Sequence, residues 1–227
     1  MVVGRGKVGG KPVVILGDDF TVRGGAADAS IRGKMLIAEK MAGEYRMPLI
    51  RLVDGTGGGG SIKMLDKDPR TYIPETPGWE YAVENLAEIP VVSLALGPCA
   101  GLGAGRVGAS HYSVMVKELS QVFVAGPPVA RAIGEDVTKE ELGGWNIQAK
   151  NGTVDEAVET EAEACEKTRQ FLSYLPMSVH ERPARTTPTD DPNRREESLI
   201  DIVPTDGKTP YMPRKIINAT VDQGSFF

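Results

Sequence analysis

The stretch "GPCAGLGAGRVG", Gly97 to Gly108, follows the apolar run "IPVVSLAL" and is one of three glycine-rich loops in the chain. The other two are "VRGGAA" and "DGTGGGG", and all three follow strand-like runs. Backbone N–H groups at such bends, and at the helix starts behind them, are donors without partners of their own. They can hold a standing anion such as a phosphate, or a charge that develops during reaction, such as a thioester enolate. Glycines that only permit tight turns are the plainer alternative for the first two loops. In the third, Pro98 and the small residues Cys99 and Ala100 bring the backbone close to something.

Gly103, Gly105 and Gly108 also spell G-x-G-x-x-G, the dinucleotide fingerprint. The spacing argues against that reading. Between Gly105 and His111 there is room for about 8 Å of helix at about 1.5 Å per residue, whereas a crossover needs a dozen or more residues. Glu118, the acid that would take the ribose, comes too soon after the loop. No G-x-x-x-x-G-K-[ST] occurs. His111, His180, Cys99 and Cys165 are isolated, so no Ser-His-Asp, Cys-His or zinc arrangement assembles. His111 reads as a core or edge histidine and Cys165 as helix core. If the chain is an enzyme, its chemistry does not rest on a side-chain triad.

A chain of 227 residues is long enough to bury a real core. Its net charge of −5 argues against nucleic acid as the main partner, because phosphate neutralisation needs a basic face. No apolar run approaches the ~20 residues of a membrane span, and "MVVGRGKVGG" lacks the apolar core of a signal peptide. Two unpatterned cysteines fit a reducing cytosol.

The elements that must position the loops follow from turn and period signals. "GRGKVGGKPVVILG" reads as a hairpin turning at Gly9-Gly10. A helix from about Asp28 to Arg46 carries Ile31, Met35, Ala38, Ala42 and Tyr45 on one stripe. "MPLIRLVD" is the next strand, Trp79 to Glu88 a helix, "IPVVSLAL" a buried strand, and the glycine stretch opens a short helix. "HYSVMVKE" and "QVFVAG" follow as strands, with short helices near Val129–Ile133 and Lys139–Leu142. Thr153 and Glu156 form a T-x-x-E capping box that predicts a long helix to about Leu175. Residues 1–182 make the core, 183–197 a polar, proline-rich connector, and 198–227 a C-terminal segment with one short helix. Alternating strands and helices give an α/β architecture with a parallel component, and hairpin-like pairs before helices favour repeated ββα units.

The same residues resemble the carboxyltransferase (β) subunits of biotin-dependent acyl-CoA carboxylases of the propionyl-CoA and methylcrotonyl-CoA type. The matching stretches are "GRGKVGGKPVVILGDDFTVRGGAA", "PLIRLVDGTGGGG", "IPVVSLALGPCAG", "VFVAGPPVARAIGEDVTKEELGG" and the tail "IVPTDGKTPYMPRKIINATVDQGSFF". The resemblance implies a crotonase-like (ClpP/crotonase) α/β fold and transfer of a carboxyl group from carboxybiotin to the α-carbon of an acyl-CoA. It puts the backbone oxyanion donors on Gly101 and Leu102, where the family usually has Gly-Gly. It puts substrate contacts at Gly24, Gly25, Ala26, Gly57, Gly58, Pro98, Cys99 and Ala100, although "DGTGGGGS" lacks the arginine of the family's D-S-G-G-A-R loop. It implies biotin carried on a separate protein, acyl-CoA as substrate, and a biotin carboxyl carrier and biotin carboxylase as partners. Family chains are roughly twice as long, so this chain corresponds to their N-terminal half. It would meet a second carboxyltransferase half or subunit in a homo- or hetero-oligomer. Two other functions stay open. A crotonase-type enoyl-CoA hydratase or isomerase would need an acid in the short helix, where the sequence runs Leu102, Gly103, Ala104, Gly105, Arg106, Val107. A non-catalytic CoA-binding half-subunit would need none.

Overall fold

The computed structural model describes residues 1–25, 32–55 and 78–227. The chain forms two compact units, Met1–Pro183 and Ala184–Phe227.

The first unit opens on a hairpin, β1 (Val2–Val8) against β2 (Lys11–Gly17), antiparallel in the register Val2↔Gly17 to Val8↔Lys11. Gly9 and Gly10 both have positive φ, 56° and 84°, as a two-residue hairpin turn of the right twist requires. The sheet then continues in parallel through β3 (Leu49–Gly55), β4 (Val91–Ala100), β5 (Tyr112–Val116) and β7 (Glu156–Val158). Helices α1 (Arg32–Glu44), α2 (Trp79–Glu88) and α3 (Leu102–Gly108) serve the crossovers. Short β6 (Gln121–Phe123) and then α4 (Pro127–Ala132), α5 (Lys139–Gly143) and α6 (Trp145–Gln148) come after β5. Two strands therefore precede a helix here as well, but each pairs with β4 and in parallel.

β4 belongs to two ladders. Val92–Ala95 pair with β5, and Pro98–Ala100 pair with β6. Against β3 the register slips from Val53↔Ala95 to Gly55↔Cys99, so β4 bulges around Gly97. Above the bulge the strand turns into α3. One core cluster (Val14, Leu16, Ala38, Ala42, Leu49, Ile89, Val91) lies between hairpin, α1 and α2. Another (Val53, Ala95, Cys99, Val107, Met115, Val122, Val154) lies beneath the glycine bend.

A polar network crosses this interior. Arg51 and Glu39 are both fully buried, and Arg51 Nε donates to Glu39 Oε1 at 2.8 Å. Asn85 Nδ2 donates to Glu39 Oε2 at 2.9 Å. Arg51 Nη1 donates to the carbonyls of Ala109 and Arg106 at 2.5 and 3.3 Å, satisfying the end of α3. Burial draws the Arg51 pKa down, and the Glu39 carboxylate opposes it. Lys11 does similar work at α7 (Glu161–Tyr174): its Nζ donates to the Leu172 and Leu175 carbonyls at 2.6 and 2.5 Å.

Three expectations from sequence fail. The helix expected from Thr153 begins at Glu161, capped by Thr160, whose Oγ1 accepts from the Glu163 N–H at 3.1 Å. Two T-x-x-E boxes lie in this stretch. The sheet takes the first, because β7 pairs Glu156–Val158 with β5 while Val154 and Val158 are buried. Cys165 is exposed, since the buried face of α7 is Ala164, Thr168 and Leu172. Tyr45 lies past the end of α1 and is exposed, with the Arg5 guanidinium 5.7 Å from its ring centroid.

The second unit holds α8 (Leu199–Ile202) and α9 (Pro213–Thr220) and contains no buried residue. Its polar opening stretch is tied down. Arg194 pairs with Asp190 and donates to the Ala219 and Val221 carbonyls at 2.9 and 3.0 Å.

Removing one member of a buried ion pair strands the other charge. Glu39→Ala is expected to lower unfolding free energy by about 3–5 kcal/mol in urea denaturation. Lys40→Ala, which loses only the exposed i,i+4 pair with Glu44, should cost under about 0.5 kcal/mol.

Candidate functional site

The site grows from the bulge in β4. Along it Gly97 and Cys99 point inward, while Leu96, Pro98 and Ala100 are half-buried. A Cβ on Gly97 would lie 2.0 Å from Asp54 Oδ1, so this position must be glycine while the Asp54 carboxyl occupies that space. Cys99 is core: its Sγ sits 3.4 Å from the Val53 carbonyl and 3.3 Å from the Gly97 carbonyl. Burial pushes its thiol up to about 12, so it offers a ligand neither charge nor access.

Gly101 is the exposed N-cap of α3, at φ 56°, ψ −119°. Its N–H donates to the Phe123 carbonyl at 3.1 Å, continuing the β4–β6 ladder. The donor expected there is therefore already spent in the sheet. The N–H groups of Leu102, Gly103 and Ala104 make no hydrogen bond with any described residue, and Gly105 N–H is the first to bond back, to Gly101 O at 2.9 Å. The available amides thus begin at Leu102, one residue later than the sequence suggested. Gly105 serves packing, since a Cβ there would come within 3.2 Å of Trp79 Cη2.

The loop after β2 meets the end of β3 at this place. Gly24 and Gly25 lie in a tight turn, Arg23–Gly25, with φ 63° and 69°. A Cβ on Gly25 would strike the Asp54 carbonyl at 2.2 Å, and one on Gly55 would strike Gly25 Cα at 2.6 Å. Gly25, Asp54, Gly55 and Gly97 are thereby brought together, while Gly24 faces Phe20. Ala26, Gly57 and Gly58 lie outside the described residues.

Three functional-looking residues escaped the sequence reading. Arg106 reaches from α3 to Asp18, Nη1 to Oδ1 at 3.2 Å and Nη2 to Oδ2 at 2.5 Å, with both side chains almost fully buried. Asp18 Oδ2 also accepts the Asp54 N–H at 3.2 Å. Asp54 Oδ1 is buried and has no hydrogen-bond partner among the described residues. Burial, with Asp18 and Glu161 nearby, lifts the Asp54 pKa above its ordinary value. Only the run "LGDD" hinted at an acid near the first loop.

The histidines are structural. His111 Nδ1 accepts from Val91 N–H at 3.0 Å while Nε2 lies 2.9 Å from Leu86 O, and His180 pairs with Glu88 at the surface. No group of three or more metal-ligating side chains occurs among the described residues.

Because Gly25 meets backbone that cannot give way, Gly25→Ala should destabilise the chain by about 3 kcal/mol or more. Gly24→Ala, with a similar φ but open space, should cost about 1–2 kcal/mol. Thermal unfolding of the two variants checks the difference.

The whole chain, residues 1–227, matches the carboxyl transferase domain family. It is 32% identical to the carboxyltransferase subunit of propionyl-CoA carboxylase from Haloferax mediterranei, covering 100% of this chain and 43% of that protein. It is also 32% identical to the mitochondrial propionyl-CoA carboxylase beta chain of Homo sapiens, covering 100% of this chain and 42% of that protein. The fold matches transcarboxylase 12S, solved with methylmalonyl-coenzyme A and methylmalonic acid bound, at a TM-score of 0.80 and 30% identity, covering 100% of this chain and 43% of that one. The chain therefore spans under half the length of these relatives. With that match over its full length, and with helices crossing between the strands of a mostly parallel sheet, the chain belongs to the carboxyl transferase domain family and has the crotonase-like fold.

Proposed function

We propose that this chain is the acyl-CoA-binding half of a biotin-dependent carboxyltransferase. The observation that carries this reading is the head of α3. There, amides with no partner among the described residues start at Leu102 on a glycine bend, and no acidic residue lies in the helix's first turn. Such a place suits a thioester oxygen that gains charge as its α-carbon loses a proton. It does not suit the acid–base chemistry of a hydratase, which needs a carboxyl over the reacting carbons.

In this reading the chain's own groups bind and orient. The amides from Leu102 onward hold the thioester oxygen and stabilise the enolate. Pro98 and Ala100, half-buried on the open side of β4, line the approach. The packed turn at Gly25 keeps the first loop against the end of β3. Carboxybiotin, presented by a carrier protein, supplies both the CO₂ and the ureido base that takes the α-proton. The first turn of α3, which carries no acidic residue, accords with that. The product is the α-carboxylated acyl-CoA.

The remaining partners belong to the same proposal. A second carboxyltransferase half would face the biotin side, a biotin carboxylase would reload the carrier, and the assembly would be oligomeric and cytosolic. Among the described residues, no helix is long and apolar enough to cross a membrane.

The test mixes the purified chain with carboxybiotin and propionyl-CoA, with and without the C-terminal half of a propionyl-CoA carboxylase. Carboxylation only when both halves are present supports the proposal. Hydration of crotonyl-CoA by this chain alone would replace it. Leu102 is the first residue of α3, where proline fits a helix and removes the N–H. Leu102→Pro should lower kcat of the reconstituted pair by about 10²–10³-fold with little change in thermal midpoint.

A further inference from the structure

Among the described residues, the buried charged groups at the glycine bend are matched except one. Arg106 is committed to Asp18 through both of its terminal nitrogens. Asp18 is saturated by Arg106 and by the Asp54 N–H. The Cys99 thiol stays neutral up to about 12. Asp54 is left with a buried, unpartnered Oδ1 pressed into the space that a side chain at Gly97 would need. Its other charged neighbours among the described residues, Asp18 after β2 and Glu161 at the head of α7, are both acidic. An ionised carboxylate in that position has repulsion on two sides and no donor at Oδ1. A protonated one escapes the repulsion and leaves a neutral oxygen, not a charged one, without a partner. The carboxyl sits where the β3–β4 register slips, the point from which β4 turns toward Gly101 and Leu102.

We propose that Asp54 is a positioning residue: its protonated carboxyl fills the β4 bulge at Gly97 and fixes the bend that presents Leu102, and its ionisation withdraws the carboxyl and lets the bend relax. The geometry of the amide site is therefore proton-linked. The sign follows from linkage. A carboxyl that the fold prefers uncharged contributes its stability in full below the unfolded-state value and loses it as pH rises through the raised folded-state value. The consequence for ligand binding rests on the function proposed above. A site that holds a developing negative charge is also better served by a neutral Asp54 than by an ionised one.

The experiment follows the isotopically labelled full chain by NMR from acid to mildly alkaline pH. The amide signals of Gly97, Gly101 and Leu102 should titrate together with the Asp54 carboxyl carbon. Their midpoint should lie above that of exposed Asp206, whose carboxyl is held below its ordinary value by hydrogen bonds from Thr209 and Lys208. Asp54→Asn, which keeps the shape without the charge, should abolish the amide titration. Gly97→Ala, which displaces the carboxyl, should give at acid pH the bend signals that the wild type shows at alkaline pH. Bend amides that stay flat through the Asp54 midpoint, or that titrate unchanged in Asp54→Asn, overturn the proposal. A second arm measures propionyl-CoA affinity by calorimetry. The ratio of wild-type to Asp54→Asn affinity should fall severalfold between the two ends of the range. If propionyl-CoA binds neither protein at any pH, the acyl-CoA reading fails, and the NMR arm still decides the role of Asp54.

Discussion

The Arg51 guanidinium, buried between Glu39 and the last carbonyls of α3, is the interaction on which the site depends. A helix of seven residues has little stability of its own, because nucleation is costly and few bonds follow it. Its direction has to come from outside. Arg51 holds its C-terminal end, Arg106 anchors its flank to Asp18, and Val107 fixes its apolar face in the core. With three sides committed, the free end can point only along the bend. Well-packed apolar residues in place of the ion pair could match it in stability. They would leave the Arg106 and Ala109 carbonyls without the donors that Arg51 brings.

The same network links the site to the sheet. Arg51 sits in the middle of β3, and three residues later that strand carries Asp54 into the bulge of β4. One strand thus sets both ends of the site: the base of α3 through a guanidinium and the glycine bend through a carboxyl. Close packing makes this exacting. Gly25, Gly55 and Gly97 lack side chains because backbone or carboxyl atoms already stand where a Cβ would go. The glycine excess in the sequence is in this sense a record of contacts.

Where a signal was local, the sequence carried it well. The Gly9-Gly10 turn fixed the hairpin register, and the period of "WEYAVENLAE" fixed α2 at the expected residues. Where two local signals competed, tertiary structure chose. The Thr153 and Thr160 boxes are equivalent in sequence, and the open edge of β5 decided between them. The candidate site divides in the same way. The bend and its short helix were legible in "GPCAGLGAGRVG". The loss of the Gly101 N–H to Phe123 was not, because a ladder between residues 22 positions apart leaves no mark on either. Nor was the pairing of Arg106 with Asp18, 88 positions away.

The leucine at position 102 shows how the site tolerates departure from the family's usual glycine pair. Only one residue of such a pair has to carry the unusual backbone, and here that is Gly101, at φ 56° and ψ −119°. Leu102 is not among the non-glycine residues with positive φ, so its side chain brings no backbone strain. As the first residue of α3 it keeps an N–H with no partner among the described residues, while its side chain is half-buried beside the bend. An amide used as a donor is indifferent to the side chain on its own residue, provided the backbone direction is set elsewhere. Arg51, Asp18 and Asp54 set it. Under the proposed function, what leucine changes is the room beside the donor, so its effect would fall on the size of acyl group admitted and not on the strength with which the oxygen is held.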